Sequence, residues 1–391
     1  MNVYIELNQH IGDPCTPIVE AGDSVLRGQL IATPNGTGVN IHASVSGVIV
    51  EVTNKQIIIK KADKECDKYV KIPAGLSHLE AIEYAGIVGA GGAGFPTHVK
   101  YAKKIEDGIV IANAVECEPV LRHNVKLIEE HPDIIVRGLK YLLNLSGAKQ
   151  GYIAMKLKNR KAALALGKAC KEEPNIDVKF VSDMYPAGDE RVVIRELLGV
   201  ELQPGELPSS ANALVSNVET IKNIVNAIEH RKPCIEKDLT VAGRVQSGAK
   251  VFMNQLIGMP VSYYIDQCGG YVKPYGEIVI GGPFTGVSES GSEDMPLKKT
   301  TGGILAAMPF PQERGKVGLL ACECGGDEDR LRAIAETMGA NVVASERCKR
   351  MVEHNGRYRC DLPGICPGQT DKILKIKKSG AEAVIIGSCD P

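Results

Sequence analysis

Over the first 60 residues, short apolar runs are broken every few positions by turn formers, as in Glu20-Ala21-Gly22-Asp23-Ser24 and Pro34-Asn35-Gly36. Punctuation of this kind predicts β structure. His42-Ala43-Ser44-Val45-Ser46-Gly47-Val48-Ile49-Val50 reads as two strands about a Ser-Gly turn, and a small β sandwich accommodates the stretch. Near residue 75 the pattern changes. Residues 109–114, 151–155 and 178–181 are short, continuous apolar runs, which suits strands covered on both faces. Helical stretches separate them; residues 160–171 carry Leu164, Leu166 and Cys170 on an Ala-rich background. The rhythm predicts an α/β layer on a largely parallel sheet, closed by a helix over Val218–His230 with Pro233 just beyond it. Strand patterns return at 239–243 and 277–281 around a short helix. Residues 286–300 are rich in Ser, Gly and acids and read as a loop or linker. A last α/β unit opens on a strand at 317–321 and ends on one at 383–387.

A chain of 391 residues, 44% of them hydrophobic, has material for roughly two to four folded domains. The 46 basic and 47 acidic residues nearly cancel, which gives no electrostatic case for nucleic acid or an anionic membrane. No stretch approaches the ~20 apolar residues of a membrane span. The N-terminus, Met1-Asn2-Val3-Tyr4-Ile5-Glu6, has neither the basic nor the apolar region of a signal peptide, so a cytoplasmic location is expected. Twelve cysteines are many for such a compartment. Six are scattered over the first 270 residues, whereas Cys322, Cys324, Cys348, Cys360, Cys366 and Cys389 crowd into the last 70. In a reducing environment clustered cysteines suggest metal or redox chemistry more than structural disulfides.

The densest signal is Gly86-Ile87-Val88-Gly89-Ala90-Gly91-Gly92-Ala93-Gly94-Phe95-Pro96-Thr97-His98-Val99-Lys100. Glycines let a backbone approach a phosphate closely and turn its N–H groups toward it. Gly89, Gly91 and Gly94 satisfy the dinucleotide spacing, but Pro96 falls where that motif's helix should already be running. The better reading is a long glycine loop followed by a helix starting near Thr97, with Lys100 in its first turn and aimed back at a phosphate.

The segment Gly91-Gly92-Ala93-Gly94-Phe95-Pro96-Thr97 with Lys100 resembles the flavin loop shared by the flavin subunit of respiratory complex I and the C subunit of the Rnf complex. Further blocks follow in the family's order: Asn113-Ala114-Val115-Glu116-Cys117-Glu118-Pro119, Tyr185-Pro186-Ala187-Gly188-Asp189-Glu190, Leu207-Pro208 and Asn217-Val218-Glu219-Thr220. Gln9-His10-Ile11-Gly12 and His42-Ala43-Ser44-Val45-Ser46-Gly47 resemble the barrel-sandwich module of the Rnf C subunit, and residues 234–285 its ligand-binding β-grasp (SLBB-like) module. The resemblance implies FMN. Gly89, Gly91, Gly92 and Lys100 would hold its phosphate and ribityl side, and Asn113, Glu116, Asn217 and Thr220 would line the rest. Gly188 and Glu190 would lie near the stacked rings, with NADH as the hydride donor and Phe95 against the nucleotide. Leu207 and Ser210 stand where the complex I protein offers a lysine and a stacking phenylalanine, so the chain departs from the family on the NADH side. Beside this stand plainer readings: Glu116 and Glu118 as acids at a strand end, Cys117 as a buried small residue, and Asn217 as a helix cap.

In Rnf the C subunit runs on into paired ferredoxin-type cysteine motifs, and this chain has none. Cys322 and Cys389 instead each follow a strand, which in a doubly wound parallel unit places both at the carboxyl edge of one sheet. Gly325-Gly326 would bring a helix N-terminus up to Cys324 and lower its pKa. Cys322, Cys324 and Cys389 are therefore the candidate residues of a redox or [2Fe–2S] site, and Cys348, Cys360 and Cys366 are candidates to join it; Cys322, Cys324, Cys360 and Cys366 are the candidate metal ligands, and unconnected thiols remain the plain alternative. The run from Gly380 to Cys389 resembles small electron-transfer subunits of heterodisulfide-reductase systems. The sequence ends on Cys389-Asp390-Pro391, one residue short of a Cys-x-x-Cys motif. Because selenocysteine is encoded by a stop codon, the natural chain is expected to continue past Pro391 with selenocysteine or cysteine; a true terminus stays open beside it.

The fold class expected is α/β and multidomain: barrel-sandwich hybrid 1–70, FMN/NADH-binding α/β domain 71–232, β-grasp domain 233–310, and cysteine-rich α/β redox module 311–391. Within the family the chain most resembles the electron carriers associated with D-proline reductase in amino-acid-fermenting anaerobes. That implies electrons passing from NADH through FMN and the cysteine module to a partner reductase or redox-complex subunit. The competing expectation is a flavin-free docking scaffold.

Overall fold

A computed structural model describes residues 1–63, 67–92, 94–288 and 291–387. Cys66, Ala93 and Cys389 lie outside the described residues.

At the N-terminus two antiparallel sheets face each other's apolar sides. Asn2–Glu6 pairs with Gln56–Lys61 so that Val3 meets Ile59 and Ile5 meets Ile57. All four side chains are buried, two residues apart on each strand, as the period of a strand demands. Ile41–His42 pairs with Leu30–Thr33, while Gly47–Val52 pairs with Gln56–Lys61. The two strands read around the Ser-Gly turn therefore belong to different sheets, and the turn carries the chain from one to the other.

The next sheet is fully parallel, in the order Ile176–Val181, Gln150–Lys156, Ile109–Asn113, Ala213–Asn217. Val110, Ile111 and Ala112 are buried, which explains the unbroken apolar run in the sequence. The chain builds outward from Ile109–Asn113 through two strands, then returns to its other side with Ala213–Asn217. That reversal is a switch point, and in open α/β sheets ligands bind outside the carboxyl ends of the strands there. The two residues at those ends, Asn113 and Asn217, are register partners.

A mixed sheet follows: Lys250–Leu256 antiparallel to Glu236–Gly243, which runs parallel to Gly303–Ala306, which is antiparallel to Ile278–Ile280. Lys237 and Lys222 form buried ion pairs with Glu219 and Asp238, tying this sheet to the helix Val218–His230. The described residues of 286–300 form a loop with one 3-10 turn, Ser292–Asp294, packed into the fold rather than a free linker. Gly258 N–H donates to Leu297 O at 2.7 Å, Leu297 N–H to Met259 O at 2.8 Å, and Lys299 is buried with its ammonium on Asn40 O (2.8 Å) and Gly86 O (2.7 Å). A polar composition was compatible with burial because those carbonyls satisfy the lysine.

The last unit has a three-stranded parallel sheet with Lys316–Ala321 between Asn341–Arg347 and Ala383–Ile386. Helices Glu328–Met338 and Thr370–Lys378 and the hairpin Met351–His354/Arg357–Cys360 complete it. It is pinned to the central layer by two arginines of the helix Glu190–Leu198. Arg191 donates to Leu202 O (3.1 Å), Cys360 O (2.7 Å) and Asp361 O (2.7 Å), and Arg195 donates to Pro363 O (2.8 Å).

Candidate functional site

A cavity of about 590 Å3 opens at the switch point of the parallel sheet. Its size falls within the ~300–1,000 Å3 of ordinary small-molecule sites.

One wall is the glycine loop, through Gly89, Gly91, Gly92 and Gly94. The loop is fixed from behind. Ala90 N–H donates to Thr220 Oγ1 (2.9 Å), Gly89 N–H to Phe95 O (3.0 Å), and Ile11 N–H to Gly94 O (3.1 Å). A Cβ at Gly91 would lie 2.7 Å from Asn217 Nδ2, so only glycine lets the loop approach that amide. Asn217 itself caps the helix Val218–His230 by accepting from Glu219 N–H at 2.8 Å. The plain reading of Asn217 as a cap and its place in the cavity wall thus coincide. A Cβ at Gly92 would meet no protein atom within 4 Å. Gly91→Ala is therefore expected to lower thermal stability and ligand occupancy together, by about 1–3 kcal/mol in stability. Gly92→Ala is expected to leave stability unchanged. Paired melting curves and ligand titrations check both, and a stable Gly91→Ala protein would show that the loop gives way freely.

The same cavity carries charge. Lys100 is the fourth residue of the six-residue helix Thr97–Ala102. Its ammonium donates to Val215 O at 2.8 Å and to Glu190 at 3.2 Å rather than pointing into open space. Lys103, which the sequence reading missed, also lines the cavity and donates to Ser209 Oγ at 2.9 Å. The signal was present in the i, i+3 spacing of the two lysines, which sets them on one helical face. Asn113 lines the floor, its Nδ2 donating to Gly188 O at 2.9 Å, and Asp189 caps the helix Glu190–Leu198. Phe95, Leu207, Leu214 and Val215 supply an apolar side. A cavity with a glycine cradle and two lysines at one end and an apolar side fits a planar heteroaromatic ring that carries a phosphate.

Of the residues expected around a flavin, Gly89, Gly91, Gly92, Phe95, Lys100, Asn113, Gly188, Glu190, Asn217 and Thr220 all line this cavity, and Glu116 does not. Glu116 is turned into the protein, where it accepts from Asn124 Nδ2 at 3.1 Å and burial raises its pKa to about 7. Cys117 is largely buried, which pushes its thiol up to about 11. Glu118 accepts from Phe284 N–H (3.0 Å) and from Thr285 N–H (3.1 Å) and Oγ1 (2.7 Å). It thereby holds Phe284 against Tyr185, with ring centroids 4.4 Å apart.

The far side of Tyr185 packs on the buried thiols of Cys322, Cys324 and Cys348. With Cys360 and Cys366 these line a void of about 10 Å3 at the carboxyl edge of the last sheet. The four cysteines expected as metal ligands are all here, joined by Cys348, although among the described residues no group of three or more His, Cys, Asp or Glu is placed to hold a metal ion. The helix Glu328–Met338 is capped by Asp327, which accepts from Arg330 N–H at 2.8 Å. Cys324 is hydrogen-bonded to Cys360 and holds that thiol below its ordinary pKa, while the hydrogen bond to Cys322, with burial, raises Cys348.

Residues 82–226 match the Nuo51 FMN-binding domain family, and residues 1–68 match the RnfC barrel sandwich hybrid domain. The chain is 35% identical over 324 residues to the C subunit of the Na(+)-translocating ferredoxin:NAD(+) oxidoreductase complex of Acetobacterium woodii, covering 78% of this chain and 72% of that one. It is 34% identical over 337 residues to the C subunit of the proton-translocating complex of Clostridium ljungdahlii, covering 80% and 72%. It is 39% identical over 226 residues to the cobalamin reductase PduS of Salmonella typhimurium, covering 58% of this chain and 49% of that relative. Among the described residues no helix is long and apolar enough to cross a membrane.

Proposed function

As the chain belongs to the family of the C subunit of the Rnf-type ferredoxin:NAD(+) oxidoreductase complexes, we propose that it is an electron-transfer flavoprotein subunit that takes electrons from NADH at FMN and hands them through its cysteine-rich module to a partner. The observation that carries this is the cavity at the switch point, with its glycine wall, paired lysines and apolar side. Bound FMN would supply the chemistry that no side chain offers, accepting a hydride and releasing single electrons. The chain's own residues bind and orient. The Gly89–Gly92 backbone with Lys100 and Lys103 would hold the phosphate end, and Asn113 and Asn217 would line the rest. Phe95 and Leu207, both exposed at the rim, shield the entrance from water.

The division proposed is a barrel-sandwich hybrid over 1–70, the flavin domain over 71–232, a β-grasp module over 233–310 and the redox module over 311–391. The mixed sheet with the helix Val261–Gln267 supports the third of these. The partner is a redox-complex subunit or reductase, of the proline-reductase type by sequence resemblance, met in the cytoplasm. A second reading, a flavin-free docking scaffold, draws on Lys100, whose ammonium is already engaged by Glu190 and Val215 O.

NADH is expected to bleach the flavin absorbance of the purified protein under anaerobic conditions at least tenfold faster than NADPH, roughly 1.4 kcal/mol of discrimination. Rapid mixing with each nucleotide checks it, and a flavin that stays oxidised with NADH would remove the donor from this account.

A further inference from the structure

Strands Lys316–Ala321 and Asn341–Arg347 run parallel with Ala321 opposite Arg347, so the residues that leave the sheet side by side are Cys322 and Cys348. The exit is tied by Cys348 N–H donating to Ala321 O at 2.9 Å. Neighbouring parallel strands lie ~4.8 Å apart, inside the ~4.4–6.8 Å range of Cα separations that a disulfide bridges. Both side chains are buried, at 3% and 5% exposure, in one apolar cluster closed by Tyr185 and Met351. Cys366, half-buried at the rim of the same void, is joined to Cys348 by Gln369, whose Nε2 lies 2.9 Å from Cys348 Sγ and 3.8 Å from Cys366 Sγ. Glu323 braces the loop between Cys322 and Cys324 by accepting from Arg359 Nε and Cys360 N–H.

We propose that Cys322 and Cys348 form a two-electron dithiol–disulfide couple, set by strand register at the carboxyl edge of the last sheet and facing the cavity's own segment across Tyr185. Oxidation forms one Sγ–Sγ bond and releases two protons and two electrons. The oxidant is a disulfide of the partner, whose S–S bond breaks as it takes up those electrons and protons to become two thiols. The reverse step consumes two electrons and two protons and breaks the Sγ–Sγ bond. That the electrons for it come from reduced flavin rests on the reading above; the couple itself does not. Tyr185 connects the two places physically, because Gly188, Asp189 and Glu190 of its segment line the large cavity while its ring covers the thiols.

The test uses the full chain, purified anaerobically and equilibrated across ratios of reduced to oxidised dithiothreitol. Samples are quenched in acid, alkylated and mapped by mass spectrometry, with iron, zinc and flavin determined on the same preparation. The expected result is a peptide linked through Cys322 and Cys348 that appears in the oxidised samples and vanishes in the reduced ones along a single two-electron curve. In Cys348→Ser the linked peptide is lost completely, whereas in Cys170→Ser it persists. Absence of the link at every ratio, a link from Cys322 to a different cysteine, or stoichiometric iron or zinc held by these thiols would overturn the proposal. Flavin content separates the two claims: a flavin-free protein with the disulfide sinks the flavin reading alone, and a flavin-loaded protein without it sinks the couple alone.

Discussion

Replacing Lys100 by Glu is expected to strip the chain of flavin. The lysine lies between Glu190 and the carbonyl of Val215 and lines the same cavity as the glycine loop. A carboxylate there replaces attraction for a phosphate by repulsion from it. Two like charges about 4 Å apart at an effective dielectric of about 20 repel by roughly 4 kcal/mol. Lys100 is partly exposed, so about half of that survives screening. With the lost attraction included, flavin affinity should fall by on the order of 100-fold or more, while Lys100→Gln, which adds no repulsion, should fall less. Flavin absorbance after gel filtration reads the effect, and circular dichroism confirms that the variants fold. A folded Lys100→Glu protein with unchanged flavin would exclude Lys100 from the binding site.

The second large effect concerns how the cysteine module is held. Arg191 is buried and its guanidinium serves three carbonyls, two of them at Cys360 and Asp361 beside the thiol cluster. Arg191→Ala leaves those acceptors without donors, which is expected to cost about 3 kcal/mol. The opening of residues 360–364 from the flavin domain should then be on the order of 100-fold more frequent, read as faster limited proteolysis in that loop. Arg191→Lys should recover little, since an ammonium cannot span the same fork of acceptors. Proteolysis at the original rate in Arg191→Ala would mean that the module is held by its other contacts.

The parallel sheet was legible because strands buried on both faces write themselves as unbroken apolar runs, as at Val110-Ile111-Ala112. The strand Lys250–Leu256 was not, because none of its seven residues is buried and it shows no alternation. Gly303–Ala306 was hidden by its shortness and by the glycines at its start. At the site, the glycine loop and the paired asparagines could be read from motif order. The inward turn of Glu116 could not, since the sequence does not show that Asn124 waits behind it. The role of Lys299 was masked by a polar, acidic neighbourhood that reads as surface, although its ammonium anchors the carbonyl of Gly86 at the start of the loop. The pairing of Cys322 with Cys348 depends on strand register, which spacing along the chain does not encode.

The central claim is that the cavity at the switch point holds FMN. The measurement that tests it most directly is the identity and stoichiometry of flavin released from the chain purified under anaerobic conditions, followed by titration of the stripped protein with FMN. About one FMN per chain is expected, with rebinding at a Kd of roughly 1 μM or tighter, near −8 kcal/mol. A folded chain that carries no flavin and takes up none at FMN concentrations approaching 1 mM, about −4 kcal/mol, would contradict it and leave the docking scaffold as the reading of this fold.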